Sequence, residues 1–309
     1  MQFIDEGKQD APFALFLSWH PPHNWGGAER YPAPDELLSQ YDPEKIKLRG
    51  NCQDTPERRE AYRGHMAMCT SVDTCVGWLT KKLQDAGLAD NTIVVYTSDH
   101  GDLLLSHGLR GNKGRAENES MHVPLIVRWP KRLKPRVSNM AVGTLDLMPT
   151  LLSMLNIEPP DTCQGRNLGS AITQGRDVRT ESLPLFLMVH DWRGVYTDRY
   201  TYSFSVPTKN PSWWNQVAGH DSETHNRLFD READPLEVNN LFHDSAHSKL
   251  KQKLHQQALD WMSRFQDKGL SYPDIVSRLQ SEDDLAANRE RRLSRDGTGR
   301  LKGRPIDFL

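Results

Sequence analysis

Residues 91–102 read Asn-Thr-Ile-Val-Val-Tyr-Thr-Ser-Asp-His-Gly-Asp, and this stretch indicates both a fold class and a candidate site. The β-branched run predicts a buried strand that ends near Ser98. Asp99 and His100 follow at once, and Gly101 permits a sharp turn behind them. A carboxylate and an imidazole at a strand end can coordinate a divalent cation. A structural alternative is open at this point, in which Asp99 caps the next helix and His100 packs.

Apolar patterns on both sides of this stretch predict strands that alternate with helices. The predicted strands are Pro12–Trp19 and Val123–Trp129, and the predicted helices are Glu57–Leu88 and Leu145–Leu155. Such alternation favours an α/β fold with a mainly parallel sheet and helices on both faces. We place this domain in residues 1–175.

The pattern changes after about residue 175. Residues 193–206 alternate with aromatic side chains, which predicts antiparallel strands, and residues 249–268 have helical spacing. We therefore expect a small C-terminal antiparallel sheet-and-helix subdomain over residues 176–280. Residues 281–309 are rich in charge, and we predict a solvated tail there rather than an anion site.

The composition is that of an ordinary globular protein. Of 309 residues, 37% are hydrophobic, and the net charge of -2 gives no electrostatic reason to expect nucleic acid or a membrane as a partner. The first ten residues lack the basic and apolar regions of a secretory signal, so the compartment stays open. The four cysteines have neither zinc nor redox spacing and are expected to be free thiols or small buried side chains.

Two more polar clusters carry candidate catalytic residues. His20 and His23 bracket two prolines, and an imidazole held in such a loop could donate to an anionic oxygen or act as a general acid. Lys113 lies among glycines, so that its ammonium group could neutralise a sulfate or phosphate oxygen. A solvated loop and an exposed turn lysine are the structural alternatives. Because ligands bind at the carboxyl ends of parallel strands, we expect the clusters to converge on an anionic ester.

The order of these segments resembles the sulfatase family of the alkaline-phosphatase superfamily. The segments that carry the resemblance are FALFLSWHPPHNW from residue 13, YDPEKIKLRGN from 41, VGWLTKKLQDAGLADNTIVVYTSDHGD from 76, HGLRGNKG from 107, VPLIVRWPKR from 123, GTLDLMPTLLSMLNIEPP from 143, QGRNL from 164 and RLFDREADPLEVNNL from 227. The resemblance implies a truncated alkaline-phosphatase-like core and hydrolysis of sulfuric esters.

The resemblance also assigns roles to the candidate residues. It implies that Asp99 and His100 are ligands of a divalent cation, usually Ca²⁺, and that His23 and Lys113 lie near the sulfate, with His20 as an adjacent candidate. The implied substrate is a sulfated small molecule or glycan. Intact members of the family are often periplasmic, secreted or lysosomal.

This sequence departs from the family at the nucleophile. Relatives carry paired aspartates and a Cys-x-Pro-x-Arg signature, whose cysteine becomes formylglycine, before the segment that corresponds to Phe13. None of the four cysteines begins that signature, and Ser205-Val-Pro-Thr-Lys209 has lysine where the serine version has arginine. We therefore expect half of a metal and sulfate site, inactive as this isolated chain, with a complementary N-terminal fragment as a candidate partner. A non-catalytic anion-binding protein and a phosphomonoester or phosphonate hydrolase of the same superfamily are the alternatives.

A second departure affects the substrate. Relatives often have an aromatic residue, Glu and Arg where this chain has Glu117, Asn118 and His122. These positions are expected to support the loop that carries Lys113 or to shape the substrate pocket, so the resemblance leaves the substrate open.

Overall fold

The computed structural model describes residues 3–4, 11–25, 30–108, 113–186, 191–206 and 225–270. The predicted tail of residues 281–309 lies outside these ranges. The α-helices are α1 (Asp35–Leu38), α2 (Pro56–Asp85), α3 (Asn118–Met121), α4 (Leu147–Met154), α5 (Gly169–Thr173) and α6 (Ser248–Arg264). The strands are β1 (Val94–Thr97), β2 (Leu125–Arg128), β3 (Leu183–Phe186), β4 (Trp192–Tyr196), β5 (Tyr200–Ser205) and β6 (Arg227–Asp230).

The long helix α2 confirms the prediction from apolar spacing. The Thr55 side chain caps its N-terminus by accepting from the Arg58 amide at 3.3 Å, and Pro56 occupies the first turn. Gly87 follows the helix with φ +70°, a conformation that glycine adopts without strain. Neither α2 nor any other helix in the described part of the chain is long and apolar enough to span a membrane.

The strands form two separate sheets in the described residues. β1 and β2 pair with each other, with Val94 opposite Arg128 and Thr97 opposite Leu125. The second sheet has the order β3-β4-β5-β6, and α6 packs on it through Leu254 and Ala258. This second unit confirms the predicted C-terminal sheet and helix.

The mainly parallel sheet is not confirmed. All the strand pairings among the described residues are antiparallel. A parallel pair needs a long crossover, usually a helix that covers one face of the sheet. Between β1 and β2 the described residues form only the 3-10 turn Ser106–Gly108 and the single turn of α3, so the chain returns beside β1 in the opposite direction.

The predicted strand Pro12–Trp19 is wrong for this structure. Residues 12–19 form no strand, and their side chains are exposed, with Phe16 at 95%. A strand requires a neighbour that accepts and donates its backbone hydrogen bonds. Among the described residues no strand pairs with this run. The apolar composition indicates a segment suited to burial. Such a segment forms a strand only where a neighbouring strand is available to pair with it.

Candidate functional site

Lys113 lies between two of the predicted histidines. Its ammonium nitrogen Nζ is 2.7 Å from His23 Nε2 and 3.1 Å from His100 Nε2. The centroids of the two imidazole rings are 6.4 Å apart, and their planes meet at 66°, close to an edge-to-face arrangement. The structure therefore brings together side chains from three segments of the chain.

The hydrogen bonds of the two imidazoles define their tautomers. His23 Nδ1 lies 2.6 Å from the Asn24 carbonyl oxygen, and His100 Nδ1 lies 2.8 Å from that of Gly101. Because a carbonyl oxygen only accepts, each Nδ1 carries the proton and each Nε2 presents a lone pair. Both lone pairs point at the Lys113 ammonium group, which donates to them. The cluster thus places one ammonium group between two imidazole nitrogens that can accept its hydrogen bonds.

Burial lowers the pKa of Lys113, while the negative charges of Asp99 and Asp102 raise it and partly oppose the shift. The half-buried ammonium group is consequently less well hydrated than a surface lysine. A poorly hydrated cation attracts an anion more strongly than a fully solvated one. The electrostatics of this position suit an anionic ligand.

Asp99 stands at the outer edge of the cluster. Its side chain is 83% exposed, and its Oδ2 lies 3.5 Å from His100 Nε2. Its Oδ1 accepts from the His100 amide at 2.9 Å, which fixes the carboxylate beside the ring. The sequence alternative, in which Asp99 caps a helix, does not occur, because residues 100–105, which directly follow it, form no helix.

The described donors do not complete a metal site. Asp99 and His100 supply a carboxylate oxygen and an imidazole nitrogen, which are suitable ligand types for a divalent cation. Over the described ranges no group of three or more His, Cys, Asp or Glu residues could hold a metal ion. Asp99 and His100 are therefore suitable donor types for a divalent cation, but two donors do not make a complete site.

His20 lies at the side of the cluster. Its ring centroid is 4.9 Å from that of His23 and 5.3 Å from that of Trp25. The His20 carbonyl oxygen accepts from the His23 amide at 3.0 Å and closes the turn around the two prolines. These contacts give His20 a part in shaping the loop that holds His23.

The loop behind Asp99 and His100 is held in a strained conformation. Leu104, Leu105 and His107 have φ values of 45°, 67° and 61°, and residues other than glycine adopt such angles at a cost of about 1–3 kcal/mol each. The Arg49 guanidinium group donates to the Asp102 and Leu103 carbonyl oxygens at 3.0 Å each. The strain thus occurs directly beside the candidate site, where a fixed backbone is needed.

A buried ion cluster fastens the segment that follows Lys113. The carboxylate of Glu117, only 2% exposed, accepts from Arg115 Nη2 at 2.8 Å and from Arg227 Nε of β6 at 3.3 Å. Burial alone would raise the pKa of Glu117, but the two guanidinium charges overcome this effect and hold it at about 2. The sequence analysis noted Glu117 only as a departure from relatives and missed Arg227, which is distant in sequence.

The C-terminal sheet touches the same loop at two more points. Trp192 Nε1 of β4 donates to the Gly114 carbonyl oxygen at 3.1 Å. The Tyr196 hydroxyl group donates to Asn118 Oδ1 at 2.8 Å. We call residues 113–121 the lysine loop, and the C-terminal sheet thus forms one wall of it. The alternating aromatic pattern of residues 193–206 signals this sheet but not its contacts.

A cavity of about 430 Å³ lies elsewhere, between α6 and the turn that precedes α4. Its lining includes the Asp146–Arg166 ion pair, Trp261 and Phe265, rather than the predicted site residues. Size alone would favour this cavity as a ligand site, but its charged groups are neutralised by each other. The side chains suited to binding an anion lie instead around Lys113.

Comparison with known proteins identifies the family. The sulfatase family matches residues 1–157, and the family described as N-sulphoglucosamine sulphohydrolase, C-terminal, matches residues 112–264. The chain is 31% identical over 250 residues to an ulvan-active sulfatase of Formosa agariphila, covering 76% of this chain and 45% of that protein.

Solved structures support the same assignment. The structure of the sulfatase YidJ homologue from Bacteroides fragilis matches with a TM-score of 0.73 and 32% identity, covering 87% of this chain and 57% of that one. The phosphonate monoester hydrolase of Agrobacterium radiobacter, with a TM-score of 0.69 and 19% identity over 85% of this chain and 59% of its own, shares the fold. These neighbours have an alkaline-phosphatase-like fold, and this chain shares it.

The chain belongs to the sulfatase family. It spans about half the length of the curated relatives it matches, from 45% to 59% of the first three. The resemblance found in the sequence is thereby confirmed, including its partial coverage.

Proposed function

We propose that this chain supplies the sulfate-binding part of a sulfuric ester hydrolase. The observation that carries the proposal is the position of the Lys113 ammonium group within 3.1 Å of both His23 Nε2 and His100 Nε2. A sulfate ester presents negatively charged oxygens that accept strong hydrogen bonds from such a cation. Membership of the sulfatase family favours a sulfuric ester over other anions.

In this proposal His23 donates a proton to the leaving-group oxygen of the ester. Its Nδ1 proton is committed to the Asn24 carbonyl oxygen, so Nε2 is the nitrogen that can take up a proton and pass it to an ester oxygen. Lys113 neutralises sulfate charge as the ester bond breaks. His20, 4.9 Å from His23 between ring centroids, is the alternative donor.

We further propose that Asp99 and His100 contribute two ligands to a divalent-cation site and that the cation is Ca²⁺. The sulfatase family generally uses a divalent cation. Two ligands from this part of the chain hold such an ion weakly, because affinity rises with the number and rigidity of the oxygen ligands. Calorimetry with calcium chloride should give a dissociation constant of about 1 mM or weaker, and a tight site would contradict the incomplete ligand set.

The isolated chain is proposed to bind without turnover. None of its cysteines begins the Cys-x-Pro-x-Arg signature, so it offers no formylglycine nucleophile of the family type. The proposed ligand class is a sulfated small molecule or a sulfated glycan. One matching family is named for an N-sulphated amino sugar, which supports the sugar class.

Titration of the chain with sodium sulfate in a calorimeter tests the proposal. The wild-type chain should release or absorb heat, and Lys113→Met should not. Lys81→Met is the matched control, because Lys81 is an exposed helix residue paired with Asp85 at 2.8 Å, remote in sequence from the loop. Equal heats for the two variants would refute the assignment.

An aryl-sulfate assay separates binding from catalysis. We expect no turnover by the wild-type chain, and turnover that Lys113→Ala abolishes would reveal a nucleophile within this sequence. Sulfate binding without turnover, even after the rest of the fold is restored, would favour the non-catalytic anion-binding alternative. Titration with inorganic phosphate in parallel addresses the phosphoester alternative, which the shared fold of a phosphonate monoester hydrolase supports.

The exposed apolar run of residues 12–19 is the proposed docking edge for a complementary polypeptide. Six consecutive apolar side chains here, with Phe16 95% exposed, match the composition of a buried strand. The proposed occupant is a strand from the half of the sulfatase fold that this chain does not span. Adding the unmatched part of the Bacteroides fragilis protein as a separate polypeptide should protect the amides of residues 12–19 from hydrogen exchange. Unchanged exchange would refute this edge.

A further inference from the structure

We propose that Trp192 is a positioning residue for Lys113, acting through the hydrogen bond from its indole N–H to the Gly114 carbonyl oxygen. The bond is 3.1 Å long and joins the C-terminal sheet to the residue directly after Lys113. The inference deepens the proposed function and rests on it, since it concerns how the same anion site is kept in place. Trp192 does not itself touch the ligand in this proposal.

Trp192 is a fixed point. Its side chain is fully buried and packs with Ala116 and Leu185 in one apolar cluster. Its indole ring stacks on the His225 ring at 6.0 Å with an interplanar angle of 23°. The strand β4 that carries it is paired on both sides, with β3 and with β5. A donor mounted in this way can impose its position on a loop.

Gly114 is the point at which the loop needs to be held. Gly114 has φ +84°. Because glycine has no side chain, the peptide planes on either side of it rotate more freely than at other residues. Lys113 reaches its two imidazole partners at 2.7 and 3.1 Å. A shift of about 1 Å at Nζ directly away from either ring lengthens that contact to about 3.7 or 4.1 Å, beyond hydrogen-bond range. The Trp192 bond therefore controls the placement of the ammonium group.

The same strand provides a matched control. Tyr196 of β4 also donates to the lysine loop, but at Asn118, and the distance from its hydroxyl oxygen to Oδ1 is 2.8 Å. Loss of this bond removes one hydrogen bond between the same strand and the same loop without touching Gly114. Both variants keep an aromatic ring and lose one hydrogen bond from β4 to the lysine loop, but only Trp192→Phe releases the backbone beside Lys113.

The experiment reads the imidazoles directly. Nitrogen-detected spectra of the wild-type chain at about pH 8.5, where free histidine is neutral, report which nitrogen is protonated and whether Nε2 accepts a hydrogen bond. Lys113→Met gives the reference in which the ammonium group is absent. We expect Trp192→Phe to move the His23 and His100 Nε2 signals more than half of the way to that reference. Tyr196→Phe should leave them at the wild-type values.

Wild-type values in a folded Trp192→Phe chain would overturn the proposal, and so would an equal displacement in Tyr196→Phe. If Trp192→Phe does not fold, the wild-type chain still decides. A Trp192 indole proton that exchanges with solvent as fast as an exposed indole cannot be donating to Gly114, whereas strong protection supports the bond.

Sulfate titration of the same samples tests the proposed function separately. The dissociation constant for inorganic sulfate should rise about fivefold in Trp192→Phe, the effect of one ordinary hydrogen bond. Absence of sulfate binding in the wild type would refute the proposed function, while the imidazole signals would still show whether Trp192 places Lys113. The two ideas can therefore fail independently.

Discussion

Replacement of Glu117 by glutamine tests how strongly the buried ion cluster stabilises the fold. The carboxylate is 2% exposed and lies 2.8 Å from Arg115 Nη2 and 3.3 Å from Arg227 Nε. Glutamine has nearly the same shape but removes the negative charge that both guanidinium groups face. Removing one partner of a buried ion pair costs about 3–5 kcal/mol. We expect Glu117→Gln to lower the free energy of unfolding at pH 7 by about that amount.

The ionisation of the same side chain makes the wild-type stability depend on pH. The pKa of Glu117 in the folded chain is about 2, against 4.5 for an unperturbed glutamate. A depressed pKa stabilises the folded state above about pH 4.5, and this contribution is lost as the pH falls through 2. A difference of this size corresponds to about 3 kcal/mol at neutral pH. The variant lacks this term at every pH.

Urea denaturation at pH 7 and at pH 2, followed by tryptophan fluorescence, measures both effects. Asp85→Asn is the control, because it breaks the Lys81–Asp85 pair, whose side chains are 73% and 56% exposed. An exposed helix pair of this kind contributes less than about 0.5 kcal/mol. The reasoning is refuted if Glu117→Gln costs no more than Asp85→Asn at pH 7. It also fails if the gap between wild type and Glu117→Gln is undiminished at pH 2.

Two further predictions address the site loop and the exposed run. Gly101→Ala should cost about 2 kcal/mol or more, because the added Cβ would lie 2.0 Å from the Glu119 carbonyl oxygen. Gly77→Ala on α2 meets nothing within 4 Å and should stabilise the chain by up to about 1 kcal/mol, so thermal melts of the pair with equal losses would contradict the geometry. Phe16→Lys should reduce binding of an apolar fluorescent dye and raise the solubility limit, because Phe16 is 95% exposed. A wild-type chain that melts sharply and reversibly without binding the dye would argue against an apolar exposed edge.

Local sequence patterns predicted the helices and strands whose formation depends on residues close together in the chain. The 3-4 spacing of apolar residues predicted a helix over Glu57–Leu88, and α2 spans Pro56–Asp85. Alternation in residues 193–206 predicted β4 and β5. Such signals need no partner elsewhere in the chain, and these elements form as expected.

Sheet topology could not be predicted in the same way. The runs Pro12–Trp19 and Val123–Trp129 look alike as apolar segments, yet within the described ranges only the second pairs with a strand, through Leu125–Arg128. An apolar run specifies that a segment should be buried, but it does not specify the neighbour or the direction of pairing. The parallel prediction relied on alternation with helices, but the described residues between β1 and β2 form only a 3-10 turn and the single turn of α3.

Sequence patterns selected the candidate site residues, but they did not reveal the contacts that hold those residues in place. Asp99, His100, Lys113 and His23 could be chosen because each is an ionisable residue at a loop or strand end, and His23, His100 and Lys113 meet within hydrogen-bond distance. The supporting ion pair joins Glu117 to Arg227 across 110 residues, and no short-range pattern connects them. Charged residues read from sequence are normally assigned to the solvent, so a fully buried carboxylate is recognised only from coordinates.

The hold of the C-terminal sheet on the lysine loop bears on how this protein can be divided. A fragment ending near residue 175, where the composition changes, would retain all five predicted site side chains. It would lose the indole, the phenol and the guanidinium group that grip the loop from β4 and β6. A shortened version designed around the site residues would therefore keep the functional groups but lose the contacts that fix the backbone of the lysine loop. Fragments of this protein should include both sheets.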